Sequence, residues 1–331
     1  MNIVWHYHLA LEFPEEIEQL RRRLHGQTVI VAQNREEFSR HIAEADIVVS
    51  GPLSADERTR AGALKAHVLP YAGANALPLA DYRANGIAVG NSHGNADAVA
   101  ERALALALAV SGRVVEFHND LTEGKWHRRD DTARIFDYWT SIFHAPVTIV
   151  GTGAIGTRIA RLLAGFECRI TGVRRTPVSE SEPVPTGFQS ITTDLEEALQ
   201  GAAVVFLCVP LSPETRGLIG GVELARMEGA FLVNVSRGEI VSEHDLYQAI
   251  LSGTIAGVAL DTWWQYPNGL TAVQLPSELP FHTLPNVVMS PHAASHTRSG
   301  KLSQMRQAIE NIVSFCTDGS LAYAVNLESG Y

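Results

Sequence analysis

The chain has 331 residues, 46% of them hydrophobic, which predicts two domains with real cores. A net charge of −10 without any long basic run excludes nucleic acid and anionic membranes as bulk partners. Cys168, Cys208 and Cys316 are too scattered for a disulfide framework, the N-terminus MNIVWHYHLALEFPEE has acids too early for a signal peptide, and no apolar run reaches the roughly 20 residues that cross a bilayer, so the expected site is the cytoplasm.

Strands are predicted at Asn2 to Trp5, Thr28 to Ala32, Ile47 to Ser50 and Val68 to Pro70, with helical patterns such as Glu15 to Leu24 and Arg35 to Ala43 between them. Such βα alternation implies a parallel sheet. From Ala96 to about Val115 the pattern reads as one long helix rich in Ala and Leu. Residues 117 to 145 are polar and aromatic without a clear period and read as a surface or interface segment. A second βα series starts at Val147, with strands expected at 147–150, 169–173, 204–209, 231–235, 256–260 and 287–290. Six strands with intervening helices predict a doubly wound sheet. Asp194 precedes LEEAL as a helix cap, Ser242 to Asp245 resembles a capping box, and Gly300 to Phe315 closes the chain as a helix.

Residues 147 to 163 read VTIVGTGAIGTRIARLL, in which Gly151, Gly153 and Gly156 form G-x-G-x-x-G between a strand and a helix. That context marks a dinucleotide-binding turn, with Ala154 and Ile155 opening the helix whose free N–H groups and dipole favour a pyrophosphate. Ile155, Ile159, Leu162, Leu163 and Phe166 are expected on one buried helix face. The next strand ends TGVRRTP, with Arg174, Arg175 and Thr176 where an NAD site would place an acid. Two guanidiniums and a hydroxyl suit a 2′-phosphate, so NADP is favoured and NAD remains possible.

Three further stretches end later strands, where ligands bind in open α/β sheets. FLVNVSRGEIV carries Arg237, GVALDTWWQYP carries Asp261, and PNVVMSPHAASH carries His292. An arginine can clamp a substrate carboxylate, and a histidine can exchange a proton with the carbonyl oxygen as hydride moves. His292 and His296 are four apart, but HAASH has no third ligand nearby, so no metal is expected.

These stretches, together with AVAERALALALA around Val99 to Glu101, VPLSPETRGLIG at 209 to 220 and YAGANAL at 71 to 77, resemble the D-isomer-specific 2-hydroxyacid dehydrogenases over nearly the whole length. The resemblance implies two Rossmann-like doubly wound domains. One is a flavodoxin-like substrate domain from residues 1–94 and 292–331; the other is a dinucleotide-binding domain at 95–291, with the active site in the cleft between them. It implies a homodimer built through the coenzyme domains. It implies that Arg237 binds substrate, that His292 is the acid/base, and that Asp261 contacts the nicotinamide end of the cofactor. Val209, Pro210, Thr215, Val235 and Ser236 fall at cofactor-contacting positions. The amides of Ala72, Gly73 and Ala74 match a carboxylate-holding loop, and Asn95 resembles a substrate-binding asparagine of the formate dehydrogenase branch.

The departure is at Tyr266, where the family usually has a glutamate paired with the histidine. A one-residue shift would bring Gln265 to that place instead. A neutral partner supports the imidazolium less than a carboxylate does, so Tyr266 is a catalytic candidate that orients His292, or else pocket wall. The expected function is hydride transfer between NADP and a small 2-keto or 2-hydroxy acid. The alternatives are oxidation of a small anion such as formate, suggested by Trp263 and Asn95, and a non-catalytic dinucleotide sensor or scaffold.

Overall fold

The computed structural model describes residues 1–126, 138–177, 183–269, 273–328 and 330. The chain divides into two compact units, Met1–Ala96 with Ser295–Tyr331, and Asp97–Ala294. Both are parallel α/β structures, in agreement with the fold class read from the sequence. No helix among the described residues is long and apolar enough to cross a membrane.

The first unit is built on β1 (Asn2–His6), β2 (Thr28–Val31), β3 (Ile47–Ser50), β4 (Ala66–Val68) and β5 (Ala88–Gly90). Their order is β2-β1-β3-β4-β5, the flavodoxin-like arrangement. The central strands are apolar runs because both faces are covered. Ile3, Trp5, Ile47 and Val49 pack with Ile17, Leu20 and the C-terminal helix residues Met305, Ile309 and Ile312, while Val4 and Val48 face Phe38 and Ile42. That C-terminal helix, Arg298–Asp318, starts at Thr297, whose side chain accepts from the Gly300 amide, and ends at Gly319 with φ 79°. Strand β5 is additional to the strands read from the sequence. Beside it the tail returns, with an antiparallel bridge from Gly90 to Ala324 and the Val325 amide donating to the Val89 carbonyl at 2.8 Å.

A polar group sits inside this unit. His67 on β4 is fully buried, with Nδ1 2.9 Å from the Tyr82 hydroxyl and Nε2 3.2 Å from Ser50 Oγ. Burial pushes the imidazole down to about 4. The native state therefore holds it neutral, while an unfolded chain takes up the proton near pH 6.5. Its contribution is complete above pH 6.5 and is lost as pH falls toward 4, by about 3 kcal/mol for a shift of that size. Urea unfolding at stepped pH should show His67→Gln losing less stability than the wild type across that window; parallel curves would reject the assignment.

The second unit has seven strands: β6 (Pro146–Val150), β7 (Arg169–Val173), β8 (Ser190–Thr192), β9 (Val204–Leu207), β10 (Phe231–Asn234), β11 (Gly257–Leu260) and β12 (Val287–Met289). All pair in parallel in the order β12-β11-β10-β9-β6-β7-β8. The sequence reading predicts six; β8 is the seventh, added outside β7. Successive strand residues alternate between two cores. Val147, Ile149, Val204 and Phe206 lie with Ala103, Ala107 and Ile159, whereas Val150, Val205 and Leu207 lie with Leu224, Leu246 and Ile250. The direction of strand addition reverses between β6 and β9, which is where ligands bind in such sheets.

Three local expectations are corrected. The long helix is two, Ala96–Ser111 and Val114–Thr122, broken where Arg113 adopts φ 52°. The last helical bond runs from the Gly112 amide to the Leu108 carbonyl at 2.9 Å, and a side chain at 112 would crowd that carbonyl, its Cβ lying 2.6 Å from the oxygen. Leu162 is 42% exposed and leaves the buried helix face to Ile159 and Leu163, with Ile155 and Phe166 partly covered. Ser242 makes no capping bond, since Asp245 is used to accept from the Gly221 amide at 3.1 Å. Asp194 does cap its helix, accepting from the Glu197 amide at 3.0 Å. Residues 127–137, within the expected interface segment, lie outside the described residues.

Candidate active site

The glycine-rich turn joins β6 to the helix Ala154–Leu163. Each glycine has a separate reason. Gly151 has φ 106°, and a Cβ there would lie 2.8 Å from the Cys208 backbone and 3.1 Å from a Val209 methyl. A Cβ on Gly156 would lie 2.0 Å from the Gly151 carbonyl oxygen, so helix and turn approach only through glycine. Gly153, in contrast, faces open space. It caps the helix with no side-chain bond, and among the described residues the amides of Ala154, Ile155 and Gly156 donate to no acceptor. Uncovered amides at a helix N-terminus beside an open glycine fit a dinucleotide pyrophosphate. Gly156→Ala should weaken dinucleotide binding about tenfold to a hundredfold, the scale of an overpacked contact, as read by fluorescence titration of NADPH; unchanged affinity would contradict the role of this turn.

Beyond β7, Arg174 Nε donates to the Thr176 carbonyl at 2.7 Å and Nη2 to the Pro177 carbonyl at 3.0 Å, so the guanidinium lies along its own turn. Arg175 is exposed and near Glu214, whose carboxyl is held low first by the Ser212 hydroxyl and to a smaller extent by the Arg175 charge. In the loop after β9, the Thr215 hydroxyl donates to the Pro210 carbonyl at 2.7 Å and accepts from the Ser212 amide at 2.8 Å. It shapes this loop, and partly buried Val209 and exposed Pro210 form the edge next to Gly151.

After β10 the chain turns on Asn234, which is fully buried. Its side chain donates to the Arg237 carbonyl at 2.8 Å and accepts from the Ser236 amide at 2.9 Å. The turn buries Val235 and Ser236 and leaves Arg237 half-buried, its Nη1 donating to the Ser236 carbonyl at 2.7 Å. The following residue must be glycine, since a Cβ on Gly238 would lie 2.3 Å from the Trp263 backbone. The Arg237 turn thus rests directly on the segment that follows β11.

Asp261 ends β11 with 1% exposure. Its Oδ1 accepts from the Ser290 hydroxyl and from the Ala293 amide at 2.9 Å, and Oδ2 accepts from the Ala294 amide at 3.0 Å. Trp263 Nε1 donates to the Ser290 carbonyl at 2.8 Å. These bonds fasten the turn that carries His292, whose φ of 55° is unusual for a non-glycine residue. The Tyr266 ring stands 5.5 Å from the His292 ring at 50°, and its hydroxyl accepts from the Trp263 amide at 3.2 Å. Gln265 points elsewhere, bonding Glu278 at 3.1 Å and Gln274 at 3.2 Å. Of the two residues at the glutamate position, Tyr266 is therefore the one against His292. His292 as a residue is exposed, yet partial desolvation of its ring depresses the imidazole, the Arg237 charge depresses it further, and Asp261 only partly offsets them. Burial raises the Tyr266 phenol.

Ser236 Oγ and Thr262 Oγ1 are buried and have no hydrogen-bond partner among the described residues. Such orphans call for a partner, and a bound dinucleotide could supply one. Thr262, Asn234 and Ser290 are not among the site residues read from the sequence, since nothing in their local spacing signals the long-range contacts that make them matter. In the first unit, the Tyr71 carbonyl accepts from the Ser92 amide at 3.1 Å and the Ala72 carbonyl from the Asn91 side chain at 2.7 Å. With its carbonyls pinned, the loop leaves the amides of Ala72, Gly73 and Ala74 without an acceptor among the described residues. Asn95 is half-buried in the same unit.

A glycine-rich turn at the switch point of a parallel sheet, with an arginine and a histidine past the two strands that flank β11, defines a dinucleotide-dependent oxidoreductase. The comparisons narrow this. Residues 104–294 match the family described as D-isomer specific 2-hydroxyacid dehydrogenase, NAD binding domain. A glyoxylate reductase of Korarchaeum cryptofilum is 32% identical over 282 residues, 83% of this chain and 80% of that protein. A glyoxylate/hydroxypyruvate reductase B of Pectobacterium carotovorum is 33% identical over 66% of this chain and 64% of its own. The crystal structure of a Thermus thermophilus protein superimposes with TM-score 0.74 and 28% identity, covering 98% of this chain and all of that one (100%). The chain belongs to the D-isomer specific 2-hydroxyacid dehydrogenases, enzymes that use a nicotinamide dinucleotide.

Proposed function

We propose that the chain is an NADP-preferring reductase of a small 2-keto acid, working in the cytoplasm as a homodimer. The observation that carries this reading is the meeting of Arg237, Asp261, Tyr266 and His292 around one turn, with burial and charge acting on one histidine. The names of the glyoxylate and hydroxypyruvate reductase relatives support the substrate class.

In this reading the Ala154, Ile155 and Gly156 amides hold the pyrophosphate, and Arg174, Arg175 and Thr176 hold the 2′-phosphate. Val209, Pro210 and Thr215 border the adenosine side, while Val235, Ser236 and Thr262 line the nicotinamide side. Asp261 uses three of its roughly four acceptor positions on the His292 turn and offers the last to the nicotinamide amide. The amides of Ala72, Gly73 and Ala74, with Asn95, bind the substrate carboxylate. Arg237 binds the same acid and polarises its carbonyl. A bound nicotinamide would supply the hydride that the carbon takes; His292 gives the carbonyl oxygen its proton, and Tyr266 orients the imidazole. Exposed Val114, Leu121, Trp126, Tyr138, Trp139 and Phe143 support an interface between copies, which light scattering tests.

The deciding assay is steady-state NADPH and NADH oxidation with glyoxylate, hydroxypyruvate, pyruvate and phenylpyruvate at about pH 6 and pH 8, which bracket an ordinary histidine. Preference for NADPH and faster turnover at the lower pH are expected. Tight NADPH binding without turnover of any keto acid would refute the reading. A second reading, oxidation of a small anion such as formate, draws on the missing carboxylate at His292, because such a step moves hydride without a protonated acid; formate-dependent reduction of NADP is its test.

A further inference from the structure

Two phenols beside the 71–74 loop have no assigned part, and the part argued for them rests on the reading of that loop as the carboxylate site. Tyr7 follows β1 and Tyr71 lies just beyond β4. Their rings are 5.7 Å apart at 40°, and the His8 ring lies 4.4 Å from that of Tyr7. The Tyr71 hydroxyl is 3.7 Å from where a Cβ on Gly51, just after β3, would stand. Strands β1, β3 and β4 are adjacent, so both rings sit over the carboxyl ends of the middle of the sheet, the place where open α/β sheets bind ligands.

Both tyrosines are half-buried, yet neither hydroxyl has a hydrogen-bond partner among the described residues. Tyr82 is the contrast within the same unit, its hydroxyl engaged by His67 at 2.9 Å. Burial raises Tyr7 and pushes Tyr71 up to about 12, so both are intact O–H groups at neutral pH. Next to Tyr71 in the chain are the three amides that a carboxylate would occupy, and Tyr7 reaches them through its ring contact with Tyr71. A 2-keto acid with an apolar side chain would fill the amides and strand both phenols against hydrocarbon. One with an oxygen on the carbon beside the keto group would give them a partner. Buried polar groups left unpaired are what make hydroxyl-reading sites selective.

We propose that Tyr7 and Tyr71 are specificity-determining residues that select 2-keto acids bearing a hydroxyl at C3 over their unsubstituted analogues. The probes are hydroxypyruvate and pyruvate, equal in carbon skeleton and different by that hydroxyl. The wild type is expected to favour hydroxypyruvate in kcat/KM by about tenfold or more, and Tyr7→Phe and Tyr71→Phe each to lower the ratio about threefold to tenfold with pyruvate kinetics intact. The Phe variants keep the ring packing, and Tyr82→Phe serves as a control that disturbs His67 and should slow both substrates alike. A ratio unchanged in both Phe variants, or a wild type indifferent to the hydroxyl, overturns the proposal while leaving the reductase reading intact. Failure of the wild type to reduce either acid, or any other 2-keto acid, overturns that reading and this proposal with it.

Discussion

Replacing Tyr266 by glutamate is expected to carry ketone reduction to higher pH. In the proposed reading, reduction needs a proton on His292. In this chain the imidazole sits below its ordinary value, through burial first and the Arg237 charge second, and Asp261 offsets this only in part. The protonated fraction, and with it the reductive rate, therefore declines as pH rises through a value below the usual 6.5. A carboxylate where the phenol stands, with the rings now 5.5 Å apart, would favour the imidazolium and lift its pKa. The falling limb of kcat/KM against pH should move up with it, so the variant outperforms the wild type most clearly at about pH 8. Loss of the bond from the Trp263 amide to the phenol would alter the height of the profile and not the position of its limb. Coincident limbs in wild type and variant would show that residue 266 does not set the charge of His292.

Asp261→Ala is expected to damage stability and catalysis together. The substitution leaves the Ser290 hydroxyl and the Ala293 and Ala294 amides without their acceptor in a buried place. Each stranded donor costs about 1–3 kcal/mol, so a loss of several kcal/mol in unfolding free energy is expected. The same bonds hold the turn in which His292 keeps φ 55°. Released, that residue can relax to an ordinary conformation and swing its ring away. Misplacement on this scale costs catalysis about a hundredfold. Asp261→Asn, which keeps one carbonyl oxygen, should recover part of the stability. Urea unfolding beside steady-state kinetics decides the matter: a variant as stable and as fast as the wild type would mean that the turn holds itself.

Most of the architecture is legible in the sequence because long apolar runs such as Ile47 to Ser50 and Val204 to Leu207 announce strands covered on both faces. Strands β5 and β8 are not, being three residues each, AVG and SIT, at sheet edges and too short for an apolar run or an alternation to mark them. The break at Gly112 and Arg113 is hidden for another reason: the apolar pattern continues across it, and the left-handed backbone of Arg113 that ends the helix leaves no mark in that pattern. In the site, the glycine-rich turn is local and can be read directly. Arg237, Asp261 and His292 can be located because each ends a strand. What Asp261 binds cannot be read, since its partners lie 29 to 33 residues further along. The isolation of the Ser236 and Thr262 hydroxyls is a property of the folded surroundings and has no counterpart in their neighbours along the chain.

The tail that returns beside β5 has a consequence for solubility. Strand β5 ends its sheet, and an uncovered strand edge offers unpaired amides and carbonyls to any other chain. Here the Val89 carbonyl is taken by Val325, and the Asn91 amide by the Tyr323 carbonyl. Asn311, fully buried in the last helix, ties both sides of the seam: its side chain donates to the Asn91 carbonyl and accepts from the Tyr323 amide. The final residues thus act as a guard against edge-to-edge polymerisation, and a chain clipped after the last helix should fold around an intact core and yet aggregate.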